Sequence, residues 1–230
     1  MQADNWSWRV WYLGQRVIAA IALILLLPFF AVLYVLVRTT SRGPFLYRQT
    51  RPGLNGHLFQ VVKIRTMTMG ADRDRRLALS VRNDCPQVTR IGRVLRPLKL
   101  DELPQLWNVV RGDMALVGPR PIAPALSQKL AERIPGFQRR QSVRPGLSNL
   151  GQVCIEDNAD AEHLLEDWRL RHEAERHYLR FRSIGYDFVI ILLTVLYIVR
   201  KIIHRLYIRR LPRITPPQHR SSGETQYRTA

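Results

Sequence analysis

Apolar and polar positions along this chain fall into three patterns. The first is a long uninterrupted run. Arg16 and Arg38 bracket 21 uncharged residues, VIAAIALILLLPFFAVLYVLV. As one helix they would extend about 30 Å, enough to cross a bilayer core. The run is too long for a cleaved signal peptide, and no small-residue cleavage site follows it. Pro28 lies mid-run, where it removes a backbone hydrogen bond and predicts a kink or break. Basic residues flank both ends: Arg9 and Arg16 before, Arg38, Arg42, Arg48 and Arg51 after. Charge asymmetry therefore selects no orientation. Two readings stay open. One is a spanning helix, because proline is tolerated there. The other is a re-entrant helix that bends at Pro28 and returns to the same face. Trp6, Trp8, Trp11 and Tyr12 precede the run and suit the headgroup region.

The second pattern is a set of short runs cut by turn signals. Residues Pro44 to Met69 read as loop and short strand. Arg51 to Gly53 is a turn, with Pro at i+1 and Gly at i+2, and HLFQVVKIRTM predicts a strand over His57 to Ile64 that ends at Lys63 and Arg65. DRDRRLAL, from Asp72, predicts a short helix, and Asn83-Asp84-Cys85-Pro86 a breaker. Arg90, Arg93 and Arg96 recur every three residues, so one helical face would collect them. Asp101 is a good N-cap type and Pro104 is acceptable in a first turn. LPQLWNVV would carry that helix to Gly112. A residue before proline is pushed away from helix, so Arg120 in GPRP is predicted extended. A second RPG turn occurs at Arg144 to Gly146.

The third pattern is periodic. Ala161 to Arg182 is charged, with Leu164, Leu165, Trp168 and Ala174 at helical offsets, and predicts an amphipathic helix. The uncharged stretch from Phe188 to Val199 is 12 residues, too short to span. It runs on into Ile202, Ile203, Leu206 and Ile208 mixed with Arg200, Lys201, Arg205, Arg209 and Arg210. Such a helix lies in a membrane interface with its arginines at anionic headgroups; a core helix with a basic exit is the plainer alternative. Residues 214–230 are polar, contain two prolines, and are expected to be disordered.

Charge changes this picture. The formal net charge is +18 over 230 residues. Between Asn5 and Ala71 there are eight Arg or Lys and no acid, and after Asp187 eight basic residues face the single Glu224. Such asymmetry points to a polyanionic partner: nucleic acid, an anionic membrane surface or a phosphorylated substrate. Cys85 and Cys154 show neither metal-site spacing nor disulfide density, which fits a reduced, cytosol-facing compartment.

The densest chemistry lies in RPLKLDELPQLWNVVRGDMALVGPRP, residues 96–121. Asp101 and Glu102 stand as one acidic pair among basic and apolar residues. Carboxylates that attack or hold a metal, with arginines that hold an anion, suit chemistry on a phosphate. Singly, each motif is bland: an Asp-Glu helix start, a GPRP loop, an RPG turn. Their order and joint presence carry more. GPFLYRQTRPGLNGHLFQVVKIRTM, VTRIGRVLRPLKLDELPQLWNVVRGDMALVGPRP, VRPGLSNLGQV and YLRFRSIGYDFVIILLTV follow the proline-containing apolar run. Together they resemble the bacterial sugar transferases that start glycan assembly, the monotopic polyprenol-phosphate phosphoglycosyl transferases. The likeness runs from about Arg16 to Leu196 and is most specific in the central block. The size resembles the minimal form of that family.

The resemblance implies an α/β-type, mostly helical small domain, a monotopic membrane protein with an N-terminal re-entrant helix kinked at Pro28 and interfacial amphipathic helices. Residues 1–43 would form the membrane segment, 44–213 the catalytic domain and 214–230 the tail. It implies transfer of a sugar-1-phosphate from a UDP-sugar to polyprenol phosphate, with UMP released, at the cytoplasmic face of the bacterial inner membrane. Carried over, Asp101 is the nucleophile that forms a covalent phosphosugar, and Glu102 is the acid beside an Mg²⁺ ion. Arg96 matches a basic position near the site; Lys63, Arg65 and Arg120 are further candidates for phosphate contact. Asp187 matches a family acid that serves the site or a structural pair. Anionic lipids are the expected surface partner and nucleic acid is not; neither the sugar nor an oligomeric state is specified. Two other classes compete. A membrane-tethered nucleic-acid-binding or scaffold protein would account for the charge but not for the DELP and GPRP blocks. A membrane-anchored, metal-dependent phosphohydrolase would transfer to water.

Overall fold

A computed structural model of the chain describes residues 6–71, 85–154 and 164–208. The short helix expected from Asp72, part of the breaker at Asn83, the basic end at Arg209 and Arg210, and the tail 214–230 lie outside the described residues.

The long apolar run is broken once. Helix α1 spans Trp6–Leu25 and helix α2 Leu27–Thr40, with Leu26 between them. Pro28 sits in the first turn of α2, where its missing N–H leaves no bond unmade. The start of α1 reaches further back than the apolar run, because the aromatic stretch is itself helical. Trp8 is buried, with the Arg182 guanidinium 3.9 Å above its ring, and Trp11 donates its indole N–H to Asp187 at 2.8 Å. These two rings are therefore fixed on protein, whereas Trp6 is exposed.

Strands β1 (Leu46–Pro52) and β2 (Leu58–Ile64) form an antiparallel hairpin closed by the Gly53 turn, with Gly53 N–H donating to His57 C=O at 2.8 Å. The expected strand is β2. Its partner β1 was not foreseen, because a seven-residue strand of intermediate burial shows no clean alternation. The Arg90 to Arg96 stretch differs from the single helical face expected. Helix α3 is one turn, Gly92–Leu95, followed by a 3₁₀ turn over Arg96–Leu98. Lys99 then takes a left-handed conformation at φ 57°. That reversal starts a 3₁₀ segment, Leu100–Gln105, which runs into α4, Leu106–Arg111. Gly112, at φ 87°, ends α4 as the sequence suggests. Asp101 is inside the first 3₁₀ turn rather than at its N-cap, and no side-chain cap is formed.

The two Gly-Pro motifs meet. Strands β3 (Ala115–Val117) and β4 (Gly146–Ser148) pair in parallel, continuing into GPRP and out of RPG. Gly118 N–H donates to Ser148 C=O at 3.0 Å and Gly146 N–H to Pro119 C=O at 2.9 Å. A Cβ on Gly146 would collide with the Gly118 backbone, so the close crossing needs glycine. Helices α5 (Pro124–Arg133), α6 (Leu150–Cys154), α7 (Leu164–Phe181) and α8 (Ile184–Ile208) complete the described chain.

The small cores are built across these elements. Ala19 of α1 packs with Leu106, Val109 and Met114. Leu33 and Val37 of α2 pack with Ile64 and Leu95. Val117, Tyr178 and Ile190 join β3, α7 and α8. Large apolar residues stay exposed at the α1–α2 joint (Ile24, Leu25, Leu27) and along α8 (Phe188, Leu192, Leu196, Val199, Ile203). By length and composition α1 is apolar enough to cross a membrane.

Candidate active site

The site forms where β2 faces the 3₁₀ segment that carries Asp101 and Glu102. Asn108, on α4, fixes that approach. Its side chain accepts from Val62 N–H at 3.1 Å and donates to Gln60 C=O at 2.7 Å, clamping α4 to the β2 backbone. Lys63, one residue on, then reaches Glu102 Oε1 with its Nζ at 2.9 Å. Arg120 arrives from the other side, between Pro119 and Pro121. Its Nη1 donates to Glu102 Oε2 at 3.0 Å and its Nη2 to Oε1, a two-pronged clamp.

The two adjacent carboxylates thus meet unlike fates. Both are buried. Burial alone would raise the Glu102 carboxyl, but Arg120 and Lys63 outweigh it and hold Glu102 well below the usual carboxylate range. Asp101 is pushed up, first by burial and then by the Glu102 charge, against the pull of Lys63, Arg96 and Lys99. Among the described residues, no hydrogen bond or ion pair ties its carboxylate down. Lys63 is pushed down by burial, against the Glu102 charge. A charge-assisted pair at 2.9 Å still favours the ammonium, so the ion pair is the better description. Arg51, on β1, is pushed down to about 10 by burial and by Arg120, and stays charged at neutral pH.

Of the sequence candidates, the structure brings together Asp101, Glu102, Lys63 and Arg120, with Arg96 near Asp101. Arg65 and Asp187 are placed elsewhere. Arg65 spends its guanidinium on the end of α2, donating to the Ser41 and Arg42 carbonyls and to Ser41 Oγ. Asp187 opens α8 and accepts from Trp11 Nε1 and from Tyr178 Oη, both at 2.8 Å, linking α1, α7 and α8. Arg51, Lys99 and Asn108 are the residues that sequence reasoning missed. Lys99, two residues before Asp101 in a basic stretch, carried the clearest signal.

Metal chemistry fits in one form. Among the described residues, no group of three His, Cys, Asp or Glu gathers to hold an ion. Three donors already fill most of the roughly four acceptor positions of Glu102. What is left is one position on Oε2 and the Asp101 carboxylate. That set suits Mg²⁺ held by one or two carboxylates, its own waters and substrate phosphates, rather than an all-protein cage.

Comparison with known proteins gives the chain a family. The family described as Bacterial sugar transferase matches residues 8–201. A UDP-glucose:undecaprenyl-phosphate glucose-1-phosphate transferase of Caulobacter vibrioides is 43% identical over 188 residues, 80% of this chain and 68% of that protein. The Klebsiella pneumoniae protein of the same name is 38% identical, over 80% of this chain but 38% of its own length. A UDP-N-acetylgalactosamine-undecaprenyl-phosphate N-acetylgalactosaminephosphotransferase of Aeromonas hydrophila is 34% identical, over 79% of this chain and 42% of its own length. The chain thus spans less than half of these two longer relatives. With nearly the whole described chain inside the family match, and the acidic pair and its cations gathered in one place, this chain belongs to the bacterial sugar transferase family.

Proposed function

We propose that the chain moves a sugar-1-phosphate from a UDP-sugar to polyprenol phosphate, undecaprenyl phosphate in a bacterium, and releases UMP. The observation that carries this reading is the split between two adjacent buried carboxylates. Glu102 is clamped by Arg120 and Lys63, while Asp101, its neighbour, is unclamped and made more basic by burial. A carboxylate in that state, more basic than an ordinary aspartate and held by no clamp, is a nucleophile in waiting. An Asp101 oxygen would attack the phosphorus that bears the sugar. The bond from that phosphorus to the bridging oxygen breaks, and UMP leaves with the oxygen. The aspartyl phosphosugar is then attacked by an oxygen of polyprenol phosphate, which frees Asp101 and leaves a diphosphate-linked lipid. Lys63, Arg120, Arg51 and Arg96 would counter the phosphate charge that otherwise repels the carboxylate. Mg²⁺, when bound with the donor, would supply further neutralisation of the phosphate oxygens.

The membrane placement follows the same logic. Helix α1 is fastened to the domain at its start through Trp8 and Trp11 and further along through Ala19, and α2 through Leu33, Val37 and the Ser41 carbonyl. Large apolar side chains stay exposed along α1 and α2 (Val17, Ile21, Val32 and Val35) and at the joint between them (Ile24, Leu25 and Leu27). Two ends on one domain support a re-entrant hairpin on the cytoplasmic leaflet of the inner membrane. The exposed apolar stripe of α8 would lie in the same leaflet.

The test is UMP release by purified protein from a panel of UDP-sugars, with and without polyprenol phosphate. Release that requires both substrates supports the reading. Steady release without the lipid would make the protein a hydrolase, and no release from any donor would leave the transfer reading without support.

A further inference from the structure

Behind the Arg120 clamp lies a second ion pair that the reaction as written does not use. Arg140 sits in a 3₁₀ segment, Phe137–Ser142, and Glu175 on α7. Both are almost fully buried, at 4% and 3% exposure. Arg140 Nη2 donates to Glu175 Oε1 at 2.7 Å. The same two groups grip the peptide of Arg120 from both sides. The Arg120 N–H donates to Glu175 Oε1 at 3.3 Å, and Arg140 Nη2 donates to the Arg120 C=O at 2.6 Å. The Arg140 guanidinium is fixed by aromatic faces, 4.8 Å from the Phe137 centroid and 5.6 Å from Trp168. Pro119 and Pro121 leave the Arg120 peptide with few other ways to be held. Burial of such a pair is costly and seldom adds net stability. The costs here are visible: Arg140 Nη1, Glu175 Oε2 and both ring nitrogens of His172, which packs on Phe137, have no partner among the described residues. Burial pushes the Glu175 carboxyl up and the Arg140 guanidinium down, so neither charge is there because the interior favours it. A buried charged pair that spends its bonds on one backbone amide and one carbonyl is better explained by what it positions than by stability.

We infer that Arg140 and Glu175 are positioning residues, which hold the Arg120 backbone so that its guanidinium engages Glu102 in the two-pronged geometry. The inference rests on the transfer reading given above, in that Arg120 matters to turnover. It predicts coupling: the pair should count only while Arg120 is present. The whole protein is compared in lipid nanodiscs as wild type, Arg140→Lys, the combined Arg140→Met and Glu175→Gln variant, Arg120→Ala, and with Arg140→Lys or the combined change placed in the Arg120→Ala background. The combined variant removes both charges and so leaves no unpaired one in the interior.

Two readouts are taken. In UMP release, Arg140→Lys and the combined variant should lower kcat at least tenfold, with the KM for UDP-sugar changed less than threefold. In the Arg120→Ala background the same changes should cost less than threefold. Equal losses in both backgrounds would mean a structural role and overturn the inference. In amide exchange, the 118–122 segment should lose at least tenfold protection in the combined variant, while α5 and the rest of α7 keep theirs. Unchanged exchange in that segment would also overturn it. If wild type releases no UMP from any donor, the transfer reading falls, and the exchange result alone then decides whether the pair holds Arg120. Should the combined variant fail to fold, Arg140→Lys carries the same two comparisons.

Discussion

At the scale of single residues, the adjacent carboxylates should part company in stability as well as in chemistry. Glu102→Gln leaves Arg120 and Lys63 without their anion. It should cost roughly 2–3 kcal/mol, below the ~3–5 kcal/mol for breaking a fully buried pair, because the two cations are 26% and 24% exposed. The Glu102 carboxyl is depressed in the fold, so its contribution is present above its ordinary pKa and is lost as pH falls through the depressed value. Asp101 has the opposite sign. Its carboxyl is raised, so the fold favours the protonated form, and Asp101→Asn should leave stability at pH 7 unchanged or slightly higher. Thermal melts of both variants against pH check this; equal losses would contradict the asymmetry. Asp187 gives a related case. Asp187→Ala leaves the Trp11 and Tyr178 donors buried without an acceptor, at about 1–3 kcal/mol. Its carboxyl is also raised, chiefly by burial. Asp187→Asn should therefore gain on wild type as pH rises from about 4 toward 7, by the same linkage. A gap that narrows over that range would contradict it. The acidic pair was legible in the sequence because it stood alone among basic residues. Arg65 and Asp187 were legible as chemistry-bearing types, but the carbonyls and donors that occupy them come from positions 9 to 176 residues away.

At the scale of elements, the sequence points to an interruption at Pro28, and the helices divide at Leu26, two residues earlier. Strands β3 and β4 were missed because three residues hold no periodicity, yet the RPG turn and the GPRP loop that adjoin them were both legible. The break has a direct test. Single cysteines near Trp6 and near Arg42, in a background lacking Cys85 and Cys154, should both resist membrane-impermeant labelling of intact cells. Labelling of the Trp6 site from outside would mean that α1 spans. For α8, Leu192 and Leu196 are exposed at helical spacing. Replacing both with Glu should weaken partitioning onto anionic vesicles at least tenfold while the far-ultraviolet dichroism is kept. Unchanged partitioning would take α8 off the membrane.

At the scale of the whole molecule, helices α1 and α2 and the elements of the candidate site are one construction. Ala19 shares a core with α4, Val37 shares one with β2, and α4 and β2 also bring Glu102 to Lys63. On the proposed transfer, a donor dissolved in water and an acceptor dissolved in lipid would be served in turn at one carboxylate at the membrane surface. The most direct measurement is a single turnover with UDP-sugar labelled in the sugar and no polyprenol phosphate. The account predicts one labelled phosphosugar bound per wild-type chain, a matching burst of UMP, label mapped to Asp101, discharge on adding polyprenol phosphate, and neither label nor burst with Asp101→Asn. Label on another residue, or an Asp101→Asn protein that still turns over, would contradict it.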